Sequence, residues 1–220
     1  MALYRELAAR LLAKEADRGV REQGWNTGPR VSEYQAADGL KLDRDTGYPW
    51  CMSLETWGFE KVGRPLIELH ETASVGFALQ YGTQHGWKVA KPSRADLILF
   101  YWGGPGDNWP DHVGTVLKVL PNGQLLTVEG NTSSDAAGSQ DEGDGVFRKT
   151  RDPSKYRVAY LRVPGEETDT GPDYQVLRGR GPRQRVVAVA ETFDGASKIM
   201  EKMLAKGATG ASVRKIPDRG

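Results

Sequence analysis

Cys51 is the single cysteine of the chain and stands in Gly47-Tyr48-Pro49-Trp50-Cys51-Met52-Ser53-Leu54. That context reads as a loop delivering a thiol to the first turn of a helix. A helix N-terminus favours negative charge, so a thiol there is biased toward the thiolate, its nucleophilic form. A cysteine nucleophile needs a histidine within hydrogen-bond reach and a third group to orient the imidazole. Of the three histidines, His70 falls in a polar helical stretch and His85 in the loop Gly82-Thr83-Gln84-His85-Gly86, and both read as surface residues. His112 opens a strand after Asp111, with Gly114 removing a side chain beside it, and is the candidate base. Lone cysteines are often inert core residues, so its partners decide the matter.

The element that must position those partners is a hairpin. His112 to Leu120 alternates, Pro121-Asn122-Gly123 turns, and Gln124 to Asn131 returns; Asn-Gly is a strong short-range hairpin marker. With Asn122 and Gly123 as the two turn residues, Pro121 faces Gln124. Counting back then pairs His112 with Ser133, Gly114 with Asn131 and Val116 with Glu129. Period two puts His112, Asn131 and Glu129 on one face. The diagonal from His112 to Asn131 is about 7–8 Å between Cα atoms, whereas Glu129 needs strand twist or a bulge to reach the ring. Only the glutamate stabilises an imidazolium by charge. The expectation is therefore that Glu129 orients His112 and Asn131 is its polar companion.

Other segments supply the scaffold. Leu3, Leu7, Leu11 and Leu12 mark an amphipathic helix over residues 2–18. A second helix is expected over Arg30–Asp38, a third from Cys51 to about Val62, and a fourth near Leu69–Tyr81. The apolar run Asp96-Leu97-Ile98-Leu99-Phe100-Tyr101-Trp102 reads as a buried strand, and Tyr156–Val163 as the last strand of the body. Ser134–Gly145 is an acidic, glycine-rich loop. After Pro164–Pro172, strands are expected at Tyr174–Leu177, Arg185–Ala190 and Ala211–Ile216, with a helix at Phe193–Lys206. The division is a body of residues 1–164, a linker 165–172 and a small α/β module 173–220. At about fifty residues that module is near the lower limit for folding alone, so docking on the body is expected.

Composition bounds the function. The chain has 220 residues, 38% hydrophobic and 27% charged, which suits a globular protein with a real core. One cysteine excludes an intramolecular disulfide framework, and no cysteine/histidine cluster suggests structural zinc. Arg5, Glu6 and Arg10 interrupt the opening segment, so no secretory signal is expected, and no run approaches the roughly 20 apolar residues of a membrane span. Net charge is +1, but residues 173–220 hold ten Lys/Arg against five Asp/Glu. A basic module on an acidic body suits either a polyanionic target or a plain solvated surface.

Four motifs in order resemble those of CHAP domains, the cysteine, histidine-dependent amidohydrolases/peptidases. They are Pro49-Trp50-Cys51 opening a helix, Ala95-Asp96-Leu97-Ile98-Leu99-Phe100, Asp111-His112-Val113-Gly114-Thr115-Val116, and Val128-Glu129-Gly130-Asn131-Thr132-Ser133. Gly19-Val20 through Asn26, with Gly28, Val31 and Tyr34, also resembles the entry segment of CHAP-like phage proteins. The chain has Ala95 where the family often has glycine. Asp43 and Asp45 invite comparison with calcium-binding members, but their spacing does not match, and neither metal nor cofactor is expected.

The resemblance implies an α+β, papain-like fold, with N-terminal helices packed on a central antiparallel sheet, that hydrolyses an amide of peptidoglycan. The bond is that of an N-acetylmuramoyl-L-alanine amidase or a peptide-bridge endopeptidase. Cys51 would be the nucleophile and His112 the acid and base, with Glu129 and Asn131 beside it. Trp50, Tyr101 and Trp109 would line a groove, while Trp102 is expected in the core. Expected partners are peptidoglycan and, through the module, anionic wall polymers, with no nucleic acid. The implied setting is a phage lysin held in the host cytoplasm until holin-mediated release, or a virion component. Two alternatives stay open: a papain-like amidase on a small soluble amide, and a virion or wall-binding structural protein.

Overall fold

The structure is a computed structural model that describes residues 3–40, 47–64, 66, 73–103, 106, 108–134, 142–164, 174–178, 185–190, 193–206 and 211–215. His70, Asp43, Asp45 and the expected linker 165–172 lie outside these residues.

Helix α1 (Leu3–Asp17) buries Leu7, Ala8, Leu11 and Leu12, the stripe its spacing dictates. Helix α2 (Pro29–Gln35) begins at a proline, whose missing N–H costs a first turn nothing. Helix α3 (Cys51–Lys61) is buried on nearly every side, including Ser53, Glu55 and Thr56, as a helix inside the molecule must be. Glu15 ties α1 to α2. It is fully buried and accepts from Arg30 at 2.6 and 2.7 Å and from the Tyr34 hydroxyl at 2.5 Å. Tyr34 in turn packs its ring on Trp50, at the cap of α3, and on Trp57, nearly two turns along it. Helix α4 (Val75–Gln84) is capped by Ser74 and so begins and ends later than its apolar residues suggest.

Strands β1 (Lys88–Val89), β2 (Leu97–Tyr101), β3 (His112–Val119), β4 (Leu125–Thr132), β5 (Gly145–Arg151) and β6 (Arg157–Leu161) form one antiparallel sheet in the order β1-β6-β2-β3-β4-β5. Val113, Leu117, Leu97, Leu99 and Val128 join the helices in the main core. On the opposite face Ile98, Phe100, Val116, Leu125 and Tyr160 make a smaller cluster. Gly130 lets α3 approach, since a Cβ there would sit 2.6 Å from Leu54 and 2.7 Å from Trp50. Asp96 ties the sheet to α1, bonded by Arg5 and Arg162 and by the Ser93 backbone N–H. Ala95 before it has φ 67, a left-handed conformation that glycine adopts without strain.

The hairpin register differs from the two-residue-turn expectation. Leu120 pairs with Gln124 across a three-residue loop, with Gly123 at φ 84 supplying the left-handed position. A β-bulge then intervenes, because Val116 faces Thr127 while Lys118 faces Leu126, leaving Leu117 as the extra residue. Arg94 donates to the Leu117 carbonyl. Past the bulge Gly114 faces Glu129, so the expected pairings of His112 with Ser133, Gly114 with Asn131 and Val116 with Glu129 are corrected. The loop and the bulge each slip the ladder by one residue. Together they keep Glu129 on the His112 face and bring it to the diagonal position.

Strand β5 was not expected. Its inward positions include Lys149 and Arg151, so the apolar alternation that marks a strand is absent.

Beyond the body, β7 (Tyr174–Arg178), β8 (Arg185–Ala190) and β9 (Ala211–Lys215) form a sheet ordered β8-β7-β9 with helix α5 (Phe193–Ala205). Ala196, Met200, Leu204, Ala211 and Val213 belong to the same buried cluster as α1 and α3. Lys14 pairs with Glu201 at 3.4 Å. At Gly63, φ 85, an added Cβ would collide with the Val213 carbonyl.

Candidate active site

Cys51 is the first residue of α3, buried with 3% of its surface exposed. Trp50 occupies the cap position, and no side chain caps the first turn. The backbone N–H groups of a helix's first turn have no intrahelical partner and point along its axis. Trp50 itself is fully buried, donates to Glu22 Oε1 at 2.7 Å and packs on Tyr34. The expectation that it lines a substrate groove is therefore corrected. It is a core residue that fixes where the helix begins.

His112, also fully buried, opens β3 with Phe100 as its cross-strand neighbour. Its Nε2 lies 3.0 Å from Glu129 Oε2. The other ring nitrogen, Nδ1, is buried without a partner in hydrogen-bond geometry. Burial works against the charged ring, but the Cys51 sulfur and the Glu129 carboxylate outweigh it, and the imidazole is pushed up to about 9. Cys51 and His112 are thus close, without a fully formed hydrogen bond; such bonds often tighten only around substrate.

Glu129 is held from three sides. Thr127 donates to Oε1 at 2.5 Å, and Arg151 donates Nε to Oε1 at 2.8 Å and Nη2 to Oε2 at 2.5 Å. Burial opposes its charge, yet Arg151 and then His112 prevail, and the carboxyl is drawn down to about 2. Gly114 leaves room for it, since a Cβ there would overlap Glu129 Cγ. The next two residues do different work. Gly130 admits α3, and Asn131 turns the chain at φ 55, buried, where the ladder to β5 becomes irregular.

Two contributors escaped the sequence. Arg151 spreads its guanidinium over Phe100 and Trp102, 5.3 and 5.6 Å from the ring centroids. Those rings stand on or beside β2, three ladder steps from β5, so the sheet curls over this face. Glu55 lies one turn after Cys51 on α3 and is fully buried. It accepts from Thr115 Oγ1 at 2.6 Å, leaves Oε1 without a partner, and is pushed up by burial to about 8. A carboxylate four residues on in a helix, or an arginine ending a strand, ordinarily reads as a solvated charge.

Of the aromatic residues expected at a groove, Trp109 is 53% exposed and rests on Gly76 of α4, and Tyr101 is half-buried with Arg157 over its ring at 4.3 Å. Trp102 stacks on Phe100 at 4.8 Å. His85 is exposed and stacked on Tyr81. Trp25, which sequence reading passed over, is 68% exposed. Among the described residues no group of three or more His, Cys, Asp or Glu side chains is arranged to hold a metal ion, and no helix is long and apolar enough to cross a membrane.

Residues 43–131 match the family model described as the CHAP domain. Comparison with curated proteins and with solved structures gave no significant match.

Proposed function

Since the chain carries a CHAP domain, the mark of a family of amidase- and peptidase-type peptidoglycan hydrolases, we propose that it cleaves a peptidoglycan amide through a covalent intermediate on Cys51. The observation that carries this reading is His112, which is bonded to Glu129 through Nε2 and whose charged form is favoured by Cys51 and Glu129 beside it. The Cys51 thiolate attacks the carbonyl carbon, forming a C–S bond as the carbonyl electrons move to oxygen. The oxyanion sits at the start of α3, against the Cys51 backbone N–H. His112 Nδ1–H passes its proton to the leaving nitrogen as the C–N bond breaks. Water then adds to the thioester, His112 takes its proton, and the C–S bond breaks to restore the thiolate.

The finer reading is an N-acetylmuramoyl-L-alanine amidase or peptide-bridge endopeptidase acting as a phage lysin. Trp109 and Tyr101 contact the glycopeptide, and the basic module 173–220 contacts anionic wall polymers. The test is digestion of purified cell walls. Expected are loss of turbidity and release of free amino groups without new reducing ends, both abolished in a folded Cys51→Ala variant. Mass spectrometry of the muropeptides identifies the bond. Undiminished lysis by Cys51→Ala, or release of reducing sugar, would overturn the reading. Cleavage of small amides with no effect on walls would turn it into a soluble amidase.

A further inference from the structure

Glu129 has more partners than orienting an imidazole requires. Arg151 meets both of its oxygens, and Thr127 meets Oε1 as well. Arg151 is 6% exposed, so water takes little part in the pairing. It reaches Glu129 from the edge strand β5, where its own cross-strand partner is Leu125 rather than Glu129. Its guanidinium is braced by Phe100 and Trp102 and interacts with Tyr156. A long side chain aimed back along the sheet and braced on its plane is costly to order, so its target matters.

We propose that Arg151 is a positioning residue that locks Glu129 as an acceptor-only carboxylate, and thereby fixes which nitrogen of His112 carries the permanent proton. This rests on the reading of Cys51 and His112 as the reacting pair. A buried carboxylate without a cation readily takes up a proton. A protonated Glu129 would donate to Nε2 and drive the ring proton to Nδ1, the nitrogen that must exchange protons with Cys51. A bidentate guanidinium forbids that state, because it has only donors to offer and stays charged. Nε2 therefore always donates to Glu129, and Nδ1 is free to accept and return a proton. Wrong-tautomer histidine is a severe catalytic defect in the analogous serine-protease arrangement, on the order of 10⁴-fold.

The groups around the ring are Cys51 and Glu55 on α3, Phe100 on β2 with Trp102 beside it, and Glu129 on β4, with Arg151 of β5 bonded to Glu129. Lys149 is directed along β5 to the Ser133 carbonyl at 2.6 Å. Only Arg151 combines full charge with contact to both carboxylate oxygens.

The test is ¹⁵N NMR of the His112 ring across pH, in the full chain, together with steady-state hydrolysis. In the native protein Nε2 should stay protonated throughout, with only Nδ1 titrating. In Arg151→Met the neutral ring should become a mixture of tautomers. kcat should fall roughly 10–100-fold, with KM little changed, as for loss of an outer partner of an active-site histidine. Arg151→Lys, which keeps the charge but not the fork, should recover part of both signals. In a Glu129→Gln background, Arg151→Met should cost nothing further. A folded Arg151→Met with native tautomer, kcat and pH profile would overturn the proposal, and so would losses that multiply with Glu129→Gln. If Arg151→Met does not fold, a native ring spectrum and native kcat in Arg151→Gln, which removes the charge, would equally reduce Arg151 to a strut. The NMR arm needs no turnover, so a chain inactive on cell walls leaves the lock measurable and fails only the hydrolase reading.

Discussion

Glu55 is the most expensive residue of the site. In the folded chain its carboxyl holds a proton up to about 8, whereas its ordinary value is 4.5. Between those two values the unfolded chain is ionised at this position and the folded chain is not, so stability falls as pH rises through that window. Glu55→Gln reproduces the neutral form. Urea unfolding should find the variant near wild type at pH 4.5 and more stable by a few kcal/mol at pH 8. Equal stability at both values would mean that burial does not hold this carboxyl in its neutral form. Cys51, His112 and Glu129 were legible in the sequence because their types and order are distinctive. Glu55 and Arg151 were not, because the burial that gives each its character exists only after α3 and β5 have docked.

At the scale of elements, the sheet and helices followed from periodicity wherever the buried face was apolar. They were missed at β5, where lysine and arginine point inward. The hairpin was legible but its register was not, since nothing local to Pro121-Asn122-Gly123 reveals a bulge at Leu117. The helix–sheet contact depends on Gly130. Gly130→Ala would place a methyl against Leu54 and Trp50 and push α3 from β4, an overpacking that costs about 1–3 kcal/mol. The same displacement moves Cys51 away from His112. We expect hydrolysis to fall further than stability alone explains, measured as kcat at a temperature where the variant remains folded. Native kcat in a destabilised Gly130→Ala would show that the helix start tolerates displacement.

For the whole molecule, three buried groups set the pH range of stability. Glu129, drawn down to about 2, contributes stability that is present above 4.5 and lost as pH falls toward 2. His112, pushed up to about 9, contributes stability that is full below 6.5 and lost as pH rises through 9. Glu55 removes stability from 4.5 upward. A thermal-melt series should therefore peak at mildly acidic pH, about 5, and a peak above pH 8 would contradict the three assignments. The module at the C-terminal end shares the main core, so deletion of residues 173–220 uncovers parts of α1 and α3 that Met200, Leu204 and Val213 cover. Truncation should lower the melting temperature by several degrees and also weaken wall pull-down in a salt-sensitive way. A truncated chain as stable as the full one would mark the module as an independent appendage.

The bulge at Leu117 sets a rule for how this hairpin can change. The three-residue loop acts like a frameshift, and the bulge is its suppressor. Alone, the first would turn Glu129 to the wrong side of the sheet; together they restore parity. A lone insertion or deletion in the loop would leave every letter of the two flanking motifs intact and still disconnect Glu129 from His112. Length changes here are therefore tolerable only in compensating pairs, though neither Leu117 nor the loop carries a reacting group.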